Sequence, residues 1–264
     1  MSPSPPTCTI SDGRAEVRLN RPEYRNRIEP GDLAALRHIL EEVEMNDAVK
    51  VLILTGAGST FCAGYDLLAL AAAANGQDDA GDVVRQFEAL VDHLEWCRVP
   101  TICALNGPLY GGGSDLALAC DFRVGVAATQ MAVPAVELGV HYYHGGLRRF
   151  VTRLGLGAAK RLLLLSSSMD AVEMLRIGFL DEIVDTPETL EQRIDVLANT
   201  LVAMPAPAVV AGMKRALNRI ALGEMDSALT DTAWAESVRS PIVAAAAAKR
   251  IATRDRGTRA RKRK

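Results

Sequence analysis

The chain has 264 residues, 49% of them apolar and 23% charged, with a formal net charge of −2. That fits a globular chain, either one large domain or a domain with an appended helical part, and the overall charge points to no partner. The charge is unevenly placed: residues 249–264 hold nine Lys/Arg against Asp255, a segment of +8 that leaves −10 elsewhere. Cys8, Cys62, Cys97, Cys103 and Cys120 are odd in number and contain no C-x-x-C pair. This argues against a disulfide framework or a zinc site and for reduced, buried thiols. The N-terminal Met-Ser-Pro-Ser-Pro-Pro lacks the apolar segment of a signal peptide, and no apolar run reaches membrane-span length, so a cytoplasmic location is expected.

In chain order, Thr7–Ile10 and Ala15–Leu19 flank an Asp12-Gly13 turn signal and predict a hairpin. A loop follows through Asn20-Arg21-Pro22-Glu23-Tyr24-Arg25-Asn26. A helix is expected from Pro30, with Leu33, Leu36, Ile39, Leu40 and Val43 on one face. Val51–Thr55 predicts a buried strand. It runs into a small-residue turn around Ala63-Gly64. Ala-rich and then polar residues at 68–82 suggest a fraying helix and a loop. Val83–Cys97 has helical spacing, Thr101–Leu105 is a strand, and Gly113–Cys120 is a helix opened by Gly111-Gly112-Gly113. Phe122–Val126 is a strand, Met131–Pro134 a short edge strand, and 138–147 a loop rich in Gly, Tyr and His. The rest is expected to be helical at about 157–166, 171–177, 187–203, 206–221 and 227–248. The alternation through about residue 140 predicts a mixed α/β core. The expected division is a core over 1–204, a helical region over 205–250 and a basic disordered tail over 251–264.

The chemistry gathers at two strand-to-helix junctions, Ala63-Gly64 and Gly111–Gly113. Small residues let a ligand approach the backbone, and a helix start favours negative charge. Taken singly, each is a tight turn; taken together, they bring backbone N–H groups toward one ligand atom. Gly56-Ala57-Gly58 lacks the third glycine of a dinucleotide loop.

Phe61-Cys62-Ala63-Gly64-Tyr65-Asp66-Leu67 and the run from Asn106-Gly107 to Asp121 resemble the two signatures of the crotonase (enoyl-CoA hydratase/isomerase) superfamily. Leu19 to Glu23 with Asn26, and Leu138-Gly139, Gly145-Gly146 and Arg149, resemble its flanking blocks. The resemblance implies a core of stacked β-β-α turns with a C-terminal helical trimerisation region. It implies an acyl-CoA thioester as substrate, coenzyme A being part of that substrate rather than a bound cofactor. It places oxyanion donors at the N–H groups of Ala63 and Gly112, and coenzyme or acyl contacts at Arg25, Phe61, Ala63, Gly64, Tyr65, Asp66, Leu67, Gly111 and Gly112. Self-association as a homotrimer or a dimer of trimers is implied. Neither a membrane nor nucleic acid is an expected partner.

Within that resemblance the acid–base residues depart from the hydratase pattern. One glutamate position holds Asp115, shorter by a methylene; the other holds Ala135. Glu137 shares Ala135's side only if this stretch is extended. His141, Tyr142, Tyr143 and His144 form an unusual loop. The family's isomerases and dehalogenases have a working acid at the position of Tyr143, and its methylmalonyl-CoA decarboxylase a tyrosine at that of Tyr142. Asp115, Glu137, His141, Tyr142, Tyr143 and His144 are therefore the catalytic candidates, each also readable as a packing or surface residue. Three outcomes stand open: hydration or isomerisation by relocated groups, decarboxylation, and an inert thioester-binding protein.

Overall fold

The computed structural model describes residues 4–74, 80–224 and 227–249. The basic tail over 251–264 lies outside the described residues. The chain divides into two compact units, Met1–Ala203 and Met204–Lys264.

The first unit is built on a sheet of six strands. β1 (Thr7–Ser11) and β2 (Arg14–Leu19) form the expected hairpin, Ser11 opposite Arg14. Asp12 and Gly13 take φ of 48° and 78°, which a two-residue turn between right-twisted strands requires. β2 is followed across the sheet by β3 (Val51–Gly56), β4 (Thr101–Leu105), β6 (Phe122–Val126) and β9 (Glu182–Val184), all parallel. β9 is a sixth strand that the sequence pattern did not reveal. β5 (Leu109–Tyr110), β7 (Gln130–Ala132) and β8 (Met169–Asp170) form a separate small sheet. The stretch expected to be an edge strand through Pro134 thus ends at Ala132.

The sheet is covered on both faces, which is why β3 and β4 are buried throughout and largely apolar. Alternate residues point to opposite sides. Val51, Ile53, Ile102 and Ala104 pack with Val124 and Val126 under Leu190, Ile194 and Ala198 of α7 (Pro187–Val202). Leu52, Leu54, Cys103 and Leu105 face the larger core with α1 (Pro30–Met45), α3 (Ala80–Trp96), α4 (Gly112–Ala119) and α5 (His144–Leu165). α2 (Leu67–Ala74) follows the first glycine turn, and α6 (Ala171–Arg176) precedes β9. α5 starts inside the segment expected to be a loop and is kinked at Gly155, φ 80°. The second unit contains α8 (Pro207–Ala221) and α9 (Ala228–Val238).

Two asparagines tie the loops that carry the site. Asn26, 1% exposed, donates to the carbonyls of Ala57 at 2.8 Å and Thr60 at 2.7 Å. Its Oδ1 accepts the Arg21 N–H at 2.9 Å. Asn106 accepts the Gly56 N–H at 3.2 Å and donates to the Gly58 carbonyl at 2.8 Å. Arg21 closes the loop with a two-point pair to buried Asp32, at 3.0 and 2.8 Å.

Gly113 is fixed by packing. A Cβ there would lie 2.7 Å from Cys62 Cβ and 2.9 Å from the Cys62 carbonyl. Gly113→Ala is therefore expected to lower stability by about 1–3 kcal/mol. Gly31→Ala in α1, where no atom lies within 4 Å, should be neutral or stabilising by up to about 1 kcal/mol. Urea denaturation of both variants checks the contrast.

Candidate active site

The segment 61–66 runs between two others. On one side Ala63 N–H donates to the Arg25 carbonyl at 2.8 Å, Ile28 N–H to Gly64 at 2.8 Å, and Asp66 N–H to Ile28 at 2.9 Å. On the other, Phe61 N–H donates to Pro108 at 3.0 Å and Tyr110 N–H to Cys62 at 2.9 Å. This brings the first glycine turn against the second. Gly64 has φ 90°, and a Cβ on it would lie 2.7 Å from the Tyr110 carbonyl and 3.4 Å from Gly112 N. Gly111, at φ 50° and ψ −120°, caps α4 and donates its own N–H to Ala132 at 2.9 Å. Gly112, the first residue of α4, has no helical acceptor four residues back for its N–H.

Beside these amides lies a cavity of about 190 Å³. Ala63, Gly64, Tyr65, Gly111 and Gly112 form one wall; Leu67, Leu70, Val84 and Phe87 form another. Tyr110, Pro134, Ala135, Leu138, Val140, His141, Tyr142 and Tyr143 complete it. Phe87 crowds Gly112 so closely that a Cβ there would sit 2.7 Å from its ring. The Phe87 ring meets the edges of Tyr65 and Tyr143, each at 5.9 Å between centroids, and Tyr143 stacks on Tyr142 at 4.9 Å.

The described lining contains no carboxylate, because both acids proposed for catalysis point elsewhere. Asp115 is fully buried and held by Arg149, Nε to Oδ1 at 2.8 Å and a terminal nitrogen to Oδ2 at 2.8 Å. The Tyr143 hydroxyl donates to the same Oδ2. Asp115 is therefore a buried structural anion and not an acid open to the cavity. Glu137 lies in a 3₁₀ turn, Val136–Leu138, and is exposed. The extended backbone that would have put it beside Ala135 is not formed; Pro134 follows the end of β7, and the chain turns.

The tyrosines and histidines separate as well. Burial, with the nearby Asp115 charge, pushes the Tyr142 and Tyr143 phenols well above the usual range, so both stay protonated. Tyr142 donates to the Gly111 carbonyl at a long 3.4 Å. His141 is exposed at the cavity edge, and its Nδ1 lies 2.8 Å from the Tyr142 carbonyl. A carbonyl only accepts, so Nδ1 carries the proton and Nε2 of the neutral ring carries the lone pair. His144 opens α5, is exposed and does not line the cavity.

Other expectations also shift. The Ala63 N–H, expected to meet the ligand, is engaged by Arg25, because the loop at 25–28 pairs with the turn. The Phe61 side chain is fully buried in the core and cannot contact a ligand. Asp66 accepts the Leu68 N–H at 3.0 Å and so caps α2. Leu67 and Arg25 are exposed. Cys62 Sγ accepts the Gly64 N–H at 3.3 Å; burial pushes its thiol up to about 12, so it stays a thiol. Among the described residues no group of three or more His, Cys, Asp or Glu is placed to hold a metal ion.

One feature escaped sequence reasoning: the charged layer behind the cavity. Arg149 also reaches Asp92 at 2.5 Å and Glu95 at 3.1 Å. Glu95, 2% exposed, receives Arg148 and Arg153 as well. Glu88 caps α5 by accepting the Gly145 N–H at 2.8 Å. The signal was present: Glu88, Asp92 and Glu95 recur at helical spacing beside the apolar stripe of α3.

A layered α/β fold thus brings two glycine turns together beside a largely apolar cavity. The family pattern for enoyl-CoA hydratase/isomerase matches residues 9–237. The short-chain-enoyl-CoA hydratase of Clostridium acetobutylicum is 32% identical over 220 residues, covering 81% of each chain. The peroxisomal Δ(3,5)-Δ(2,4)-dienoyl-CoA isomerase of Arabidopsis thaliana is 26% identical over 211 residues, 76% of each. An enoyl-CoA hydratase structure from Bacillus anthracis superposes with a TM-score of 0.80 at 26% identity, covering 90% of this chain and 92% of that one. The chain belongs to the enoyl-CoA hydratase/isomerase family, within the crotonase superfamily.

The buried layer sets the acid response. Burial raises the Glu95 pKa, but the hydrogen bond from Arg148 and the charges of Arg153 and Arg149 outweigh it, and the pKa is lowered. A depressed folded value means that the stabilisation is complete above the unfolded glutamate pKa of about 4.3. It is lost as pH falls through the folded value. Urea midpoints should therefore lose this contribution only below about pH 4.3, and less steeply in Glu95→Gln.

Proposed function

We propose that the protein binds an acyl-CoA with its thioester oxygen between the Gly112 N–H and the amide of Tyr65, and works through the thioester enolate. Convergence of the two glycine turns supports the pairing. Gly64 C=O and Asp66 N–H pair with Ile28, so by strand alternation the Tyr65 amide points away from Ile28. The α4 dipole adds to the stabilisation of the developing oxyanion.

The observation that carries the reaction type is the absence of a carboxylate from the described cavity lining. Hydration by a glutamate pair needs two groups, one to activate water and one to supply a proton. Shifting a double bond needs a single base that takes a proton from one carbon and returns it to another. His141 lines the cavity edge, and its Nε2 is suited to that. Double-bond isomerisation is the reading the cavity lining supports best; the relatives include hydratases as well as an isomerase and do not choose between them. Decarboxylation is favoured by a different observation: CO₂ loss generates the enolate without a base, and the weakly held Tyr142 hydroxyl is a proton source. Self-association is supported by Met213, Leu217 and Ile220, which are exposed at helical spacing on α8.

Turnover of 3-hexenoyl-CoA, methylmalonyl-CoA and crotonyl-CoA, read by mass spectrometry beside a binding titration, tests this. Isomerisation of the 3-enoyl thioester should exceed crotonyl-CoA hydration by about 10²-fold and fall about 10²–10⁴-fold in His141→Gln. Dominant methylmalonyl-CoA turnover would move the assignment to decarboxylation. Binding without turnover would mean an inert homologue, and rapid hydration would refute the single-base reading.

A further inference from the structure

We propose that Asp115 and the Tyr143 hydroxyl are positioning groups that fix the ring tautomer and the reach of His141. The inference rests on His141 as the proton carrier for its catalytic meaning, but its geometry stands by itself. An exposed loop histidine ordinarily samples several rotamers and both neutral tautomers. Here the Tyr142 carbonyl holds Nδ1 at 2.8 Å, so the orientation of that peptide decides where Nε2 points.

The peptide is fixed from behind. The Tyr143 hydroxyl is anchored on Asp115, and Arg149 clamps both oxygens of that carboxylate. The Tyr142 ring lies between the Tyr143 ring, stacked at 4.9 Å and 18°, and the edge of Phe150 at 5.8 Å. Gly146 leaves room for it: a Cβ there would be 2.4 Å from Tyr142 Cε1 and 3.1 Å from Asp115 Oδ2. At either end of the loop, Val140 N–H donates to Ala135 at 2.9 Å and Leu147 N–H to Tyr143 at 3.0 Å.

The anchor and the proposed oxyanion donor share one element. Gly112 and Asp115 are three residues apart on α4, about 4.5 Å along its axis. The His141 loop is thereby referenced to the same rigid helix that holds the thioester oxygen. The shorter acid makes this arrangement fit. A glutamate at 115 would carry its carboxylate one methylene further, into the space of the Tyr143 hydroxyl and the closely packed Gly146. The substitution that removes the hydratase acid is, on this reading, the one that seats the tyrosine.

The test uses the full-length protein with ¹⁵N-labelled histidine, in alkaline buffer, with His141→Gln assigning the resonance. Long-range ¹H–¹⁵N spectra should show wild-type His141 mainly as the Nδ1–H tautomer. Tyr143→Phe, which keeps the ring and removes one oxygen, should convert it to a mixture dominated by Nε2–H. Asp115→Ala should do the same, whereas Asp115→Asn, which still accepts the Tyr143 proton, should retain more of the Nδ1–H form. On the thioester turned over fastest, Tyr143→Phe should lower kcat about tenfold with KM nearly unchanged. Asp115→Ala combined with Tyr143→Phe should be no worse than Asp115→Ala alone. An unchanged Nδ1–H population in Tyr143→Phe overturns the proposal even if Asp115→Ala fails to fold. If His141→Gln retains full turnover, the single-base reading fails while the tautomer result still decides the positioning role.

Discussion

The site depends on one buried ion pair, Arg149 with Asp115, both fully excluded from solvent. Taking two charges out of water costs several kcal/mol each, and only near-ideal geometry recovers it. The two-point contact at 2.8 Å provides that geometry, and the spare Arg149 nitrogen is neutralised by Asp92 and Glu95. The pair joins α4 to α5, and Glu95 brings in α3. Three helices are thus locked together directly behind the cavity, and the Tyr143 hydroxyl extends the lock to the loop at its edge.

The same lock separates two kinds of group. Residues at the start of α4 and in the 63–65 turn line the cavity, whereas the carboxylate one turn further along α4 is held by Arg149 and the Tyr143 hydroxyl. The described cavity lining is an apolar, aromatic chamber with an imidazole at its edge. On the proposed reading, that arrangement suits charge on a thioester oxygen, and among the described residues its lining offers no carboxylate to activate water.

Much of the fold was legible because its signals were local. The Asp12-Gly13 turn, the continuous burial of β3 and β4, and the apolar face of α1 each follow from a few neighbouring residues. β9 was not legible, since Glu182–Val184 is too short to show a period and is a strand only because β6 offers an open edge. The start of α5 was hidden by Gly145-Gly146, residues that weaken helix propensity but are needed to admit the Tyr142 ring and the Glu88 cap.

The candidate site was legible in part for the same reason. Two glycine motifs carry backbone geometry, so their convergence could be anticipated. Which amide faces the cavity could not, because it depends on Arg25, nearly forty residues away, claiming the Ala63 N–H. Nor could the fate of Asp115, which is set by Arg149 across the fold, or that of Glu137, which is set by the turn after β7. The most direct measurement is a crystal structure with an unreactive acyl-CoA analogue bound. The account predicts the thioester oxygen about 2.7–3.1 Å from the Gly112 nitrogen, with His141 Nε2 the nearest basic atom to the reacting carbons. A carboxylate of Asp115 or Glu137 turned inward against those carbons would contradict it.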